Sequence, residues 1–111
     1  MHDAHAAFGL PVASVQALRS VLASHARVSR ADIYGSRATG RFRPGSDIDI
    51  SLRGDALTVA DLMVIDREMD HLDLPYKLDL SIYSLIEAPA LRDHIDQVGC
   101  VLYQARREPQ P

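Results

Sequence analysis

Two segments of the chain, Asp47 to Arg53 and Tyr76 to Tyr83, alternate apolar and polar residues without a break. In the first, Ile48, Ile50 and Leu52 oppose Asp47, Asp49, Ser51 and Arg53; in the second, Leu78, Leu80 and Ile82 oppose Lys77, Asp79, Ser81 and Tyr83. A period of two belongs to a strand, whose successive side chains leave opposite faces of a sheet. Both segments therefore require a sheet with one buried apolar face and one wet polar face, and the two polar faces can form one surface.

Helical signals surround these strands. Val15, Leu18, Val21, Leu22 and His25 follow Pro11 at helical spacing and predict a helix from about Val12 to Ala26, with Ser14 as a cap. Ala31 to Gly35 reads as a buried strand entering a turn, and residues 36–46 as loop with room for one helical turn. Thr58 with Asp61 forms a capping-box pattern ahead of Leu62, Ile65, Met69 and Leu72, and Pro75 is expected to close that helix. A last helix near Ala88 to Val98 stops at Gly99, and Cys100 to Tyr103 is a short final strand. The order predicts an α/β fold, a single domain over residues 1–111 with a short mixed sheet and helices packed on one face. Its core runs over residues 12–103, with a polar tail at residues 104–111.

With 111 residues and 47% hydrophobic side chains, a single core is expected and disorder is not. The net charge of -3 gives no general attraction to a nucleic-acid backbone, so direct nucleic-acid binding is not expected. No apolar stretch is long enough to span a membrane, and Met1 to Leu10 lacks the pattern of a signal peptide. One cysteine, Cys100, forms no intramolecular disulfide and fits a cytoplasmic location.

The chemistry gathers on the polar face. Asp47 and Asp49, two apart on a strand, project to the same side roughly 6 to 7 Å apart. Asp79 joins them if its strand is a neighbour, about 4.8 Å away. Such hard oxygen donors suit Mg2+, or Mn2+, together with substrate phosphates. Two ions roughly 3.5 to 4 Å apart would serve an in-line displacement at phosphorus. Upstream, Gly35 allows close backbone approach, and exposed amides with the Ser36 hydroxyl can hold phosphate oxygens. Arg37, nearest the turn, is the expected phosphate partner, while Arg41 and Arg43 read equally as a solvated basic loop.

Gly35-Ser36, ten intervening residues, then Asp47-Ile48-Asp49, resembles the signature of the polymerase-beta-type nucleotidyltransferase superfamily; Asp79 resembles its third carboxylate. Gly35-Ser36-Arg37-Ala38-Thr39-Gly40 further resembles the minimal nucleotidyltransferase (MNT) antitoxins paired with HEPN toxins. The resemblance implies transfer of AMP from ATP to a tyrosine of a HEPN ribonuclease, as antitoxin of a type VII toxin–antitoxin pair. It implies that Gly35 and Ser36 hold the triphosphate, that Asp47, Asp49 and Asp79 hold metal, and that Asp79 is the base. Ser36, Asp47, Asp49 and Asp79 are thus the expected catalytic set, acting in a homodimer or a hetero-oligomer with the toxin.

Taken singly, a Gly-Ser turn or an Asp-x-Asp strand edge is ordinary structure, and only their order and spacing carry the reading. Two other functions suit the same features: adenylylation of a small hydroxylated molecule, and neutralisation of a toxin by binding alone. His2, His5, His25, His71 and His94 lack ligand spacing and read as surface or boundary residues; Asp66, Glu68, Asp70 and Asp73 read as the wet face of a helix. Tyr76, Tyr83 and Tyr103 read as base-stacking rings or as the edge of a core.

Overall fold

The computed structural model describes residues 7–106; His2, His5 and the last part of the polar tail, residues 107–111, lie outside them. The elements run α1 (Val12–Ala23), β1 (Arg30–Tyr34), α2 (Ser36–Thr39), β2 (Ile48–Arg53), α3 (Val59–Asp70), β3 (Leu78–Ile82), a 3₁₀ turn (Tyr83–Leu85), α4 (Pro89–Val98) and β4 (Cys100–Gln104). The strands form one mixed sheet in the order β3-β2-β1-β4, with β2 and β3 parallel and the other pairs antiparallel. The two alternating segments are therefore neighbours, joined through α3.

Alternation decides the layers. Ile33, Ile48, Ile50, Leu52 and Leu102 bury one face of the sheet against Leu18 and Leu22 of α1 and Ile65 and Met69 of α3. Each fully buried side chain of this size contributes about 1.5–3 kcal/mol. Polar links add to this packing: His25, just past α1, bonds Glu68 Oε1 of α3 through Nε2 at 2.7 Å, and Arg19 Nε of α1 donates to the Leu102 carbonyl of β4 at 2.7 Å.

Helix ends follow local chemistry. α1 begins after Pro11, not at a serine cap; Ser14 is buried inside the first turn. The helix stops at Ala23, short of Ala26, where the Ser24 hydroxyl donates to the Val21 carbonyl at 2.7 Å and competes with further helical bonding. The capping box of α3 is present: Thr58 Oγ1 accepts from the Asp61 amide and Asp61 Oδ2 accepts from the Thr58 amide. That helix ends at Asp70, before Pro75, because the chain turns away through Asp73 in the left-handed region at φ 56°.

The polar face is not open along its whole width. α4 lies against it at β1: Asp96 accepts from the Tyr83 hydroxyl at 2.8 Å and from Arg53 at 3.3 Å, and the Arg53 guanidinium sits 3.8 Å from the centre of the Tyr83 ring. Beneath it Asp32, only 1% exposed, is paired with Arg30 at 2.9 Å and Arg53 at 3.6 Å, as a buried carboxylate must be. No helix among the described residues is long and apolar enough to cross a membrane.

Candidate active site

The β2–β3 ladder sets Asp49 directly opposite Asp79. Both strands run the same way, so Ile48 and Leu78 pair on the apolar face while the two carboxylates share the polar one. Asp47 lies one residue ahead of β2 and is exposed, as is Asp79; Asp49 is half-buried. On its other side Asp49 pairs with Tyr34 at the end of β1, which brings the next residue, Gly35, against its carboxylate. A Cβ on Gly35 would stand 2.5 Å from Asp49 Oδ2, and the backbone there has φ 74° and ψ -153°, a region only glycine occupies comfortably. Ser36 then opens α2, whose first amides have no partners within the helix. Gly35, Ser36, Asp47, Asp49 and Asp79 thus gather where β1 ends and β2 and β3 begin.

Charge crowds this end of the sheet. Burial first, then the neighbouring Asp79 and Asp47 carboxylates, push the Asp49 carboxyl above its ordinary value, while His94 acts in the opposite sense. The donor set suits a hard divalent cation, which would relieve that repulsion. Among the described residues no three His, Cys, Asp or Glu side chains converge closely enough to hold an ion by themselves. Water, joined by oxygens of a bound substrate, would complete the coordination, as is usual for magnesium held by one or two carboxylates.

Arg37 departs from expectation. Its place beside the turn predicts a phosphate partner, yet it is 3% exposed and turned into the protein. Nε and NH2 donate to the Ser46 carbonyl at 3.1 and 2.9 Å, and NH1 donates to the Phe8 carbonyl at 3.1 Å. Phe42 and Tyr76 flank the guanidinium at 5.2 and 4.9 Å from their ring centres. The chain reverses after α2 and brings carbonyls within reach of the whole guanidinium fork, which explains why proximity to the Gly35-Ser36 turn is misleading. Arg41 and Arg43 are exposed.

Two neighbours of the carboxylates carry no clear signal in the sequence. Tyr34 is buried on the polar side of β1, and burial, reinforced by Asp49 and Asp79, raises its phenol above the usual value. His94 of α4, read from the sequence as a surface or boundary residue, meets the Tyr34 ring edge-on with centroids 6.1 Å apart. The available signal is its place beside Ile95 on the inner side of α4.

A family model described as "Polymerase beta, Nucleotidyltransferase" matches residues 16–108. No curated protein matches the chain in sequence. The crystal structure of a toxin–antitoxin with AMP-PNP is similar in fold, with a TM-score of 0.66 and 19% identity over 83% of this chain and 74% of that one. A mutant of the toxin–antitoxin MntA-HpeT, with two aspartates changed to glutamate, gives 0.64 and 16% over the same shares.

Proposed function

The chain belongs to the polymerase beta nucleotidyltransferase family, and from that premise we propose that it transfers AMP from ATP to a partner protein, a tyrosine of a HEPN-type toxin, and so acts as an antitoxin. The register of Asp49 with Asp79, beside the Gly35-Ser36 turn, carries this reading. That two solved structures similar in fold are toxin–antitoxin structures, one with AMP-PNP, supports the choice of partner and nucleotide.

In this mechanism the bare backbone of Gly35 lets the triphosphate approach, and the Ser36 hydroxyl with the first amides of α2 holds phosphate oxygens. Asp47 and Asp49, with Asp79 beside them, would hold Mg2+ or Mn2+ together with water and phosphate oxygens. When bound there, such a cation would offset charge on the phosphate groups and make the attacking oxygen more acidic. Asp79 takes the proton of the acceptor hydroxyl as its oxygen attacks the α-phosphorus. The bond to the β-phosphate breaks, and pyrophosphate leaves with AMP on the acceptor oxygen. Asp79 suits this role because it is exposed while its in-register neighbour Asp49 is half-buried.

The choice of a protein acceptor also draws on α3. Val59, Met63 and Val64 expose apolar side chains there, and the groove of about 250 Å³ between α3 and β3 holds Leu62, Met63 and Leu80 together with Asp79. The same surface would serve an antitoxin that acts by covering its target.

The test mixes the protein with labelled ATP, Mg2+ and its HEPN partner and reads intact masses, with an Asp47→Ala, Asp49→Ala variant alongside. AMP added to the partner by the wild type alone supports the reading. A complex without added AMP, with full neutralisation by the variant, points to a binding antitoxin. Label on small hydroxylated molecules in the absence of a partner points to the other acceptor class.

A further inference from the structure

The cation nearest the Gly35-Ser36 turn in the chain is turned into the protein. Arg37 follows the Gly35-Ser36 turn directly, yet its donors go to carbonyls of two other segments. One of these is Ser46, the residue before Asp47. Ser46 is pinned through every polar group it owns: its amide donates to the Arg43 carbonyl at 2.9 Å, its hydroxyl accepts from the Arg43 amide at 2.7 Å, and its carbonyl receives two guanidinium bonds from Arg37. On the other side of Asp47, the Ile48 amide donates to the Lys77 carbonyl at 2.8 Å. Asp47 itself is exposed, so what fixes its carboxylate is the anchoring of the residue on either side.

We propose that Arg37 is a positioning residue, which locks the Arg43–Ser46 turn so that Asp47 is presented to the Asp49–Asp79 pair, and that it does not bind phosphate. The inference rests on the reading of Asp47 as a metal ligand. Geometry suits this role, because a planar fork reaches one carbonyl with two parallel donors, which a lysine cannot do. Phe42 and Tyr76 hold the plane of that fork from their ring faces. Tyr76 leads into β3, so the same side chain touches the approaches to both metal-site strands. A supporting group of this kind orients a ligand, and its loss costs roughly 10- to 100-fold in metal affinity.

The experiment titrates Mn2+ alone, without nucleotide, into the wild type, Arg37→Lys and Ser46→Ala, reading free Mn2+ by electron paramagnetic resonance and fold by circular dichroism. Ser46→Ala loosens the same turn while leaving the arginine charge in place. A folded Arg37→Lys that binds Mn2+ roughly 10- to 100-fold more weakly, with a smaller loss in Ser46→Ala, is the expected result. Wild-type Mn2+ binding in Arg37→Lys, joined to weaker binding of a non-hydrolysable ATP analogue, would make Arg37 a phosphate ligand and overturn the proposal. If Arg37→Lys does not fold, Ser46→Ala decides: undiminished Mn2+ binding overturns the proposal as well. A wild type that binds no Mn2+ would remove the metal-site reading itself, an outcome distinct from an Arg37 variant that matches a binding wild type.

Discussion

Gly35 and Asp49 meet across the β1–β2 ladder so closely that the carboxylate occupies the space a side chain on residue 35 would need. Gly35→Ala therefore forces both a strained backbone and a displaced Asp49. The backbone alone costs about 1–3 kcal/mol, read as a lower urea midpoint. Nucleotide transfer is expected to fall further than that loss of folded protein explains, checked by assaying at a temperature where the variant is fully folded.

Asp79→Asn separates stability from activity. It removes the stronger of the two like charges acting on Asp49, so the metal-free protein should gain on the order of 0.5 kcal/mol, the scale of a partly exposed charge pair. Loss of the base should lower AMP transfer roughly 10²- to 10⁴-fold. Thermal unfolding in chelator and a single-turnover assay measure the two; a variant both less stable and fully active would count against the role given to Asp79.

Asp49 and Asp61 respond to acid in opposite senses. The folded Asp49 carboxyl lies above its unfolded value of 3.8, so the stability its protonation contributes is complete below 3.8 and is lost as pH rises through the folded pKa. Asp61 lies below 3.8, chiefly through the backbone bond from Thr58, so its contribution is present above 3.8 and is lost as pH falls through the folded pKa. In metal-free urea titrations, Asp49→Asn should gain on the wild type as pH climbs from 3.8 towards neutrality. Asp61→Asn should lose least at the acid end. A pH-independent difference for either variant would contradict the assignment.

Thr58→Ala deletes the side-chain half of the α3 capping box and should cost about 1 kcal/mol. Because α3 joins the strands that carry Asp49 and Asp79, hydrogen exchange in its first turn should rise together with that in β3. Faster exchange confined to residues 58–61 would mean that the helix start and the strand are uncoupled.

The strands at the centre of the site were legible because alternation has a direct physical cause: one face of β2 and β3 must be buried, which fixes where Asp49 and Asp79 point. Gly35 was legible through its position after a buried strand. What the sequence could not show was tertiary. Arg37 lies beside the turn in the chain, but carbonyls nine and about thirty residues away capture its guanidinium. His94 approaches Tyr34 only because α4 folds back over β1, and the stop of α3 depends on Asp73 adopting a left-handed conformation that Pro75 overshadows in the sequence.

The placement of α4 has a consequence for selectivity. It walls the polar face on the β1 side, while β3, with Asp79, forms the edge of the sheet on the other. On the β3 flank the described residues that face an incoming acceptor are those of the α3–β3 groove, Leu62, Met63 and Leu80 beside Asp79. If the acceptor is a protein, as proposed, discrimination belongs to the fit between two surfaces, and the range of acceptors is set by which molecule docks beside β3 with a hydroxyl in reach of Asp79.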